Sequence, residues 1–349
     1  MALLKGKESL PHFYELTPAC PEHERDIKKS WPEKNGRPLV SVLCHTYNQV
    51  DYIRQTLESI LMQRTRFPFE IIVHDDASTD GTSDIVKAYA AKYPSLIVPV
   101  IQTENQKSRG GRPILLSTPH AQAHYLALCE GDDFWCDPLK LQKQLDWMLQ
   151  HPENYLIGTR CYRVFEEQVM DGDHYGADHP VIYDPVALAR DGGGILASPS
   201  LFFRRELIDA LGDWFPLTPY GDYYFQILAA VLGKVTCLPD HTCAYRVKAK
   251  GSWSARKVNA AGLVDRVSQV EKLAKDDQFL SLYGKKLSRI MLSYTCYVAS
   301  INLLKQKRYA LAIQMAAKSR EYHRWIKLKQ ALLGFTAKIL SGFSPSYRP

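Results

Sequence analysis

Nowhere in its 349 residues does the chain hold a run of apolar residues long enough to span a bilayer, which takes about 18 or more. The N-terminal stretch MALLKGKESLPHF lacks the apolar segment of a secretory signal. Both absences argue against export and against a membrane-spanning helix, and favour the cytoplasm. The eight cysteines, at 20, 44, 129, 136, 161, 237, 243 and 296, include no C-x-x-C pair and no metal-finger spacing. Several lie inside apolar runs, so buried free thiols in a reducing compartment are expected. The Gly-rich DGGGIL at residues 191–196 has no Lys and Ser or Thr after it, which excludes a phosphate-cradling P-loop and leaves a flexible loop ahead of the SPSLFFRR strand. His120 and His124 have the spacing of two ligands on a helix. Pro119 and the want of a nearby Glu exclude the zinc-protease pattern.

What is present fits a folded globular protein: 46% hydrophobic and 23% charged residues, enough for one large domain or two smaller ones. The formal charge of +7 is uneven. From Ile301 onward Lys305, Lys307, Arg308, Lys318, Arg320, Arg324, Lys327, Lys329, Lys338 and Arg348 face Glu321 alone. Tyr309, Ile313, Met315, Trp325, Leu328, Leu332 and Leu333 interleave with them on expected helices. Such a pattern suits either an anionic membrane surface or a helical subdomain packed on the rest of the chain.

Residues 1–37 are polar and Pro-containing and read as an extended or partly helical arm. Order begins at Pro38. PLVSVLCHT is a strand-length apolar run, and NQVDYIRQTLESILMQ then sets Ile53, Leu57, Ile60 and Leu61 at helical spacing. FEIIVHDD is a second strand, followed by a helix with Ile85, Ala88 and Tyr89 on one face. SLIVPVI and AHYLALCE make a third and a fourth strand, and DPLKLQKQLDWMLQHP a helix lined by Leu141, Leu145 and Met148. Strand and helix in alternation predict an α/β fold with a mostly parallel sheet flanked by helices.

Ligands of such sheets bind beyond the carboxyl ends of the strands. The polar tips fall there: His45, Thr46, Tyr47 and Asn48 after strand one, Asp75 and Asp76 after strand two, and Glu130, Asp132 and Asp133 after strand four. Like charges this close raise one another's pKa and repel unless a cation, a base or solvent neutralises them. Carboxylates suit Mg²⁺ or Mn²⁺. Asp133 also suits a helix N-terminus as a cap, just as Asn48 and STDGT suit capping and turn formation.

SVLCHTYNQVDYIRQTLESILMQ, FEIIVHDDASTDGTSDIV and ALCEGDDFWCDPLKLQKQ, in that order, resemble the family 2 inverting glycosyltransferases of the GT-A fold, among them bacterial enzymes of cell-surface polysaccharide synthesis of the lipopolysaccharide or capsule kind. The resemblance covers residues 38–255, with a nucleotide-sugar half to about residue 150, an acceptor half after it, and a basic helical C-terminal region over 256–349. It implies a nucleotide-diphosphate sugar donor lying across the strand ends, with Mn²⁺ or Mg²⁺ bridging the diphosphate to the acids. Glu130 and Asp132 take the outer positions of the family's Asp-x-Asp, Asp132 as direct ligand and Glu130 directly or through water. Thr46, Tyr47 and Asn48 would border the nucleotide, and Asp75 or Asp76 would hydrogen-bond its base or ribose.

In the second half, Asp222 of TPYGDYYFQILAAVLGKV stands where the family places its catalytic base, at a helix start where a plain cap is the alternative; Gly221 replaces the usual preceding Glu. AYRVKAKGSWS resembles the family's Tyr-Arg-x-His segment. Arg246 and Lys248 would approach the diphosphate, with Lys in the His position unable to ligate a metal while protonated, and Trp253 would pack or present a sugar platform. Pro113 and Pro119 interrupt the helix the family usually places between residues 102 and 124. The acceptor expected by resemblance is a glycan or lipid-linked oligosaccharide; nucleic acid is not expected, and no feature specifies an oligomeric state. A sugar-phosphate nucleotidyltransferase would want a basic Gly-rich loop after strand one, which CHTYNQVDY lacks. A non-catalytic glycan- or nucleic-acid-binding protein would use the basic tail and release no nucleotide.

Overall fold

The computed structural model describes residues 10–17, 19–32, 36–172, 178–192, 195–252 and 258–323. They divide into two compact units. Unit 1 comprises residues to 182 with 196–208 and 236–256; unit 2 comprises 183–195, 209–235 and 257 onward.

Unit 1 is built on parallel strands, of which the inner ones are buried nearly along their length, as the βαβ pattern requires, while the edge strand buries only Ile97. β1 (Val40–Thr46) lies between β2 (Phe69–Asp75) and β4 (Tyr125–Leu128), and β3 (Ile97–Ile101) pairs with β2 at the sheet edge. Helix α1 (Glu24–Ile27) precedes β1. α2 (Ile53–Leu61), α3 (Thr82–Lys92) and the short α4 (Pro113–Ser117) occupy the intervening segments. Beyond β4 come β5 (Phe134–Trp135), α5 (Lys140–Gln150), β6 (Asn154–Phe165), β7 (Gln168–Asp171) and β8 (Val181–Tyr183). The ten-stranded sheet runs β3-β2-β1-β4-β9-β6-β10-β5, with β7 paired to β6 and β8 to β10 off this path; β9 (Phe202–Arg204) is antiparallel to β4 and β6, and β10 (Lys234–Arg246) antiparallel to β5.

The expected core positions of α2 and α5 are buried. In α3 the buried line is instead Thr82, Val86 and Tyr89. The helix opens at Thr82 behind Gly81, whose φ of 101° favours glycine, and this start turns Ala88 to solvent and leaves Ile85 half-buried. Pro113 opens α4 rather than interrupting a helix, because the first turn has no use for its missing N–H. The N-terminal arm is part of unit 1: Ile27 and Trp31 join the main core, the indole lying edge-on to Phe69 and donating to the Thr65 hydroxyl at 2.9 Å. The described cysteines are all free thiols, six of them buried.

Unit 2 is helical. α6 (Pro185–Asp191) is capped by Asp184, and α8 (Gly221–Leu232) comes after the one-turn α7 (Glu206–Asp209), which belongs to unit 1 up to Ile208. α9 (Ala260–Leu273) and α10 (Asp277–Lys305) are capped by Asn259 and Asp276, and Gly284 breaks the helical path of α10. α11 (Tyr309–Tyr322) lays Ala312, Met315, Ala316 and Ser319 on α10, where the Ser293 and Ser300 hydroxyls donate to the Ser319 and Ala312 carbonyls. The expected helical appendage from residue 256 is thus only part of unit 2, because α6 and α8 pack with α10. Among the described residues no helix is long and apolar enough to cross a membrane. Trp325, Leu328, Leu332, Leu333 and the cations beyond residue 323 lie outside the described residues, as does part of the Gly-rich loop at 193–194.

Candidate functional site

Register brings the strand ends together. Thr46 pairs with Asp75 and Leu43 with Leu128, and the ladders run one step further as Asp76 N donates to Thr46 O and Gly131 N to His45 O. Glu130, Asp132 and Asp133 therefore gather beside the end of β1, each offering a carboxylate oxygen within 4.8 Å of the others'. No other group of three or more His, Cys, Asp or Glu side chains is so placed among the described residues.

Burial, and then the neighbouring Glu130, raises the Asp132 carboxyl to about 6. Burial and Asp132 push Asp133 well above the carboxylate range. One Asp133 oxygen accepts from Arg246 N at 2.8 Å, and the other, buried, meets no donor among the described residues. Glu130, partly exposed, accepts from the Ser198 hydroxyl at 2.9 Å. Three oxygen donors, two of them raised by burial and mutual repulsion, fit a hard divalent cation.

The loop is held from beneath by α2. Its Thr56 hydroxyl lies 2.9 Å from Gly131 O and 2.6 Å from Asp133 O, Ser59 accepts from Trp135 N at 3.0 Å, and Gln63 bonds Asp137 O and Leu141 N. Asp133 is not the cap of the following turn. That place belongs to Asp137, whose carboxylate accepts from Leu139 N.

Arg246 reaches the same loop from the end of β10. Its guanidinium donates to Asp132 O at 2.5 Å and to the Gln55 side chain, and it lies over the Tyr52 and Phe134 rings at 5.0 and 4.6 Å. Buried in this way, it braces the acid loop. Gln55 in turn donates to Thr17 of the N-terminal arm at 2.5 Å.

The other two strand ends are laced to each other. Asn48, at φ 52°, donates its N–H to the Ser78 hydroxyl and accepts from Thr79 N on its amide oxygen. Gln49 N donates to Thr82 and Val50 N to Asp80, so STDGT is a clamp on the first loop as well as a turn. Asp75 is buried and accepts from Ser78 and Ser83; Asp76 accepts from Gln106 N at 2.7 Å and Lys107 N at 3.1 Å. Asp76 thereby fixes the start of the segment that follows β3. His45 bonds Ser117 of α4 at 2.8 Å, and burial holds its imidazole neutral, down to about 3. Tyr47 is half-buried beside this edge.

Three expected residues remain. Lys248, at φ 59°, is exposed with its ammonium 5.9 Å from the Phe165 ring. Trp253 lies outside the described residues. Asp222, in unit 2, is exposed in the first turn of α8, one residue after the helix opens behind its N-cap Tyr220. Tyr220 is held by Arg266 of α9, 5.1 Å over its ring.

Sequence reasoning passed over Gln49, Thr56, Ser59, Ser117 and Ser198. For α2 a signal existed: Thr56, Ser59 and Gln63 recur at helical spacing beside the apolar stripe.

The family model described as Glycosyl transferase family 2 matches residues 41–249. An uncharacterized protein of Mycobacterium tuberculosis is 34% identical over 223 residues, 61% of this chain and 60% of that protein's own length. The putative teichuronic acid biosynthesis glycosyltransferase TuaG of Bacillus subtilis is 40% identical over 235 residues, 64% of this chain and 86% of TuaG. In structure the chain is similar to TarS 1–349 of S. aureus in complex with UDP, at TM-score 0.57 and 17% identity over 88% of this chain and 93% of that one. It is also similar to the mannosyltransferase PcManGT of Pyrobaculum calidifontis in complex with GDP-Man and Mn²⁺, at TM-score 0.52 and 20% identity over 94% and 85%. At these identities the structural likeness speaks for the fold, which is of the GT-A type.

Proposed function

The chain belongs to glycosyl transferase family 2, and from that premise we propose that it is a metal-assisted, inverting glycosyltransferase. It would move a hexosyl or deoxyhexosyl group from a nucleotide-diphosphate donor to a hydroxyl of a glycan or lipid-linked acceptor, in cell-surface polysaccharide synthesis. The observation that carries this reading is the meeting of Glu130, Asp132 and Asp133 beside the end of β1. TuaG's name, UDP on TarS, and GDP-Man with Mn²⁺ on PcManGT support the acceptor class, the donor class and the cation.

A bound Mn²⁺ or Mg²⁺ would supply Lewis-acid stabilisation of the departing diphosphate. Asp132 would hold it directly, and Glu130 directly or through water. Thr46, Tyr47 and Asn48 would border the nucleotide, with Asp75 or Asp76 fixing the loops that receive base and ribose. Arg246 would serve the diphosphate through the acid loop it braces, while Lys248 and Trp253 are proposed for diphosphate and sugar. Asp222 would take the proton of the acceptor hydroxyl as the new C–O bond forms and the sugar–phosphate bond breaks in line, which inverts the anomeric carbon.

The test follows nucleoside diphosphate release and sugar transfer from UDP- and GDP-sugars, with Mn²⁺ and with EDTA. Release dependent on the cation is expected. Release of pyrophosphate would make the protein a nucleotidyltransferase, no release a binding protein, and full turnover in EDTA would end the metal assignment. Asp222→Asn should lower transfer by about 10² to 10⁴ with donor affinity kept; near-normal transfer would move the base role to Asp191 or Asp213. Because Asp132 is raised to about 6, proton and cation compete for it, and Mn²⁺ affinity should fall as pH drops through that value.

A further inference from the structure

On the metal assignment above, we propose that Thr17 of the N-terminal arm is a positioning residue for the acid loop, acting through Gln55 and Arg246. Thr17 lies ahead of the family-matched residues 41–249. Arg246 meets three successive residues of the loop. Its guanidinium donates to Asp132 O at 2.5 Å and lies over the Phe134 ring at 4.6 Å, and its backbone N–H donates to the Asp133 carboxylate at 2.8 Å. A shift of the guanidinium is therefore felt along the loop. The other terminal nitrogen donates to Gln55 Oε1. A guanidinium can only donate, so the Gln55 carboxamide must turn its oxygen to Arg246, which leaves its NH₂ group for an acceptor. That acceptor is the Thr17 hydroxyl oxygen, at 2.5 Å. Thr17 thus holds the carboxamide in the one orientation that Arg246 can use.

The arm also supports the ring on which Arg246 rests. Phe134 follows the acids directly, and the arm's single turn Phe13–Leu16 packs on it: the Phe13 ring stands edge-on at 5.8 Å, and Leu16, 4% exposed, shares a small core with Phe134, Val164 and Ala244. Ordering a chain segment costs conformational entropy, and here apolar burial at Leu16 offsets it. Thr17, next in sequence and half-buried, is therefore delivered to Gln55 by packing, and its hydroxyl is left to orient the carboxamide.

The experiment follows two readouts on the full chain without nucleotide: the Mn²⁺ Kd, from loss of the free-ion electron paramagnetic resonance signal, and deuterium uptake of the backbone amides of residues 130–134. A melting temperature is recorded for each variant. The extended backbone of Thr17, at φ −112° and ψ 93°, suits valine equally, so Thr17→Val removes the acceptor and keeps the fold. It should raise the Kd about two- to tenfold and speed exchange in the loop, and Thr17→Ser should restore both. Gln55→Met should do at least as much, and Thr17→Val added to it should change nothing further, because the two residues act in series. Trp31→Phe, which loses the bond to Thr65 in the later part of the arm, should lower the melting temperature and leave both readouts unchanged. Wild-type Kd and exchange in Thr17→Val, full additivity with Gln55→Met, or an equal effect from Trp31→Phe overturns the positioning role alone. Asp132→Asn tests the premise: loss of Mn²⁺ uptake upholds the metal assignment, and undiminished uptake removes it and the Thr17 role with it.

Discussion

Among the described residues, every buried Asp, Glu, Lys and Arg belongs to unit 1: Glu70, Asp75, Asp76, Asp132, Asp133, Lys140 and Arg246. Both units bury aromatic rings, but in unit 2 the rings have no buried charge beside them among the described residues. Trp214, Phe279 and Tyr283 meet with centroids 4.5 to 5.4 Å apart, Tyr224 lies 6.1 Å from Phe279, and the Tyr283 hydroxyl donates to the Tyr224 carbonyl. Buried charge is costly and directional, and buried rings are favourable and forgiving. Unit 1 thus carries, beside its own apolar core, the cost of holding buried charges at its strand ends, and unit 2 carries none of it.

The sharpest way to break this contrast is Phe279→Ala. Truncating a fully buried ring should cost about 3–5 kcal/mol of stability by denaturant melting, while the Mn²⁺ Kd of the still-folded protein stays unchanged. A loss of Mn²⁺ binding at temperatures where the variant is folded would contradict the division. Next in size is Gly131→Ala, whose new methyl meets Thr46 and Gln49. Catalytic rate and Mn²⁺ affinity should fall about 10- to 100-fold, with a melting shift well below that of Phe279→Ala.

The smallest effect is expected from Lys140→Met. The Lys140 ammonium is buried, 4.6 Å from the Trp135 ring and 2.5 Å from Gln144 Oε1, and burial pulls it down to about 8. Replacing a buried charge by an apolar chain of similar volume should leave stability within about 1 kcal/mol at pH 7. The sign in pH is fixed. The unfolded chain keeps the lysine proton up to its ordinary 10.5 while the folded chain releases it near 8. Between those values the unfolded state holds more protons, so the wild type should gain stability relative to Lys140→Met as pH rises. A difference that stays flat from pH 8 to 10 would show that the ammonium is not desolvated.

Much of unit 1 was legible because its signals are local. A strand announces itself over a few residues, and Glu130, Asp132 and Asp133 are adjacent in sequence, so both the sheet and the acid cluster could be read directly. What escaped depends on contacts distant along the chain. Ser117 and Ser198 reach His45 and Glu130 from 72 and 68 residues away, and nothing near either serine distinguishes it from a loop residue. Thr56 and Ser59 look like the solvent face of an amphipathic helix until the acid loop is laid across them. Arg246 was found by resemblance, yet its place among Tyr52, Gln55 and Phe134 comes from two other segments. Unit 2 was seen only from residue 256 onward, because α6 and α8 precede the helices that bury them.

That interleaving has a consequence for the order in which the ribosome delivers the protein. Tyr224 emerges 59 residues before Tyr283, whose hydroxyl caps its carbonyl. At about 5–20 residues per second, α8 waits roughly 3 to 12 s for its partners. Through that interval Trp214, Tyr223 and Tyr224 are without the rings of α10, while the parallel strands of unit 1 have already been synthesised. A nascent chain stalled near residue 256 would therefore hold every strand of the sheet while the rings of α8 still lacked the helix that covers them.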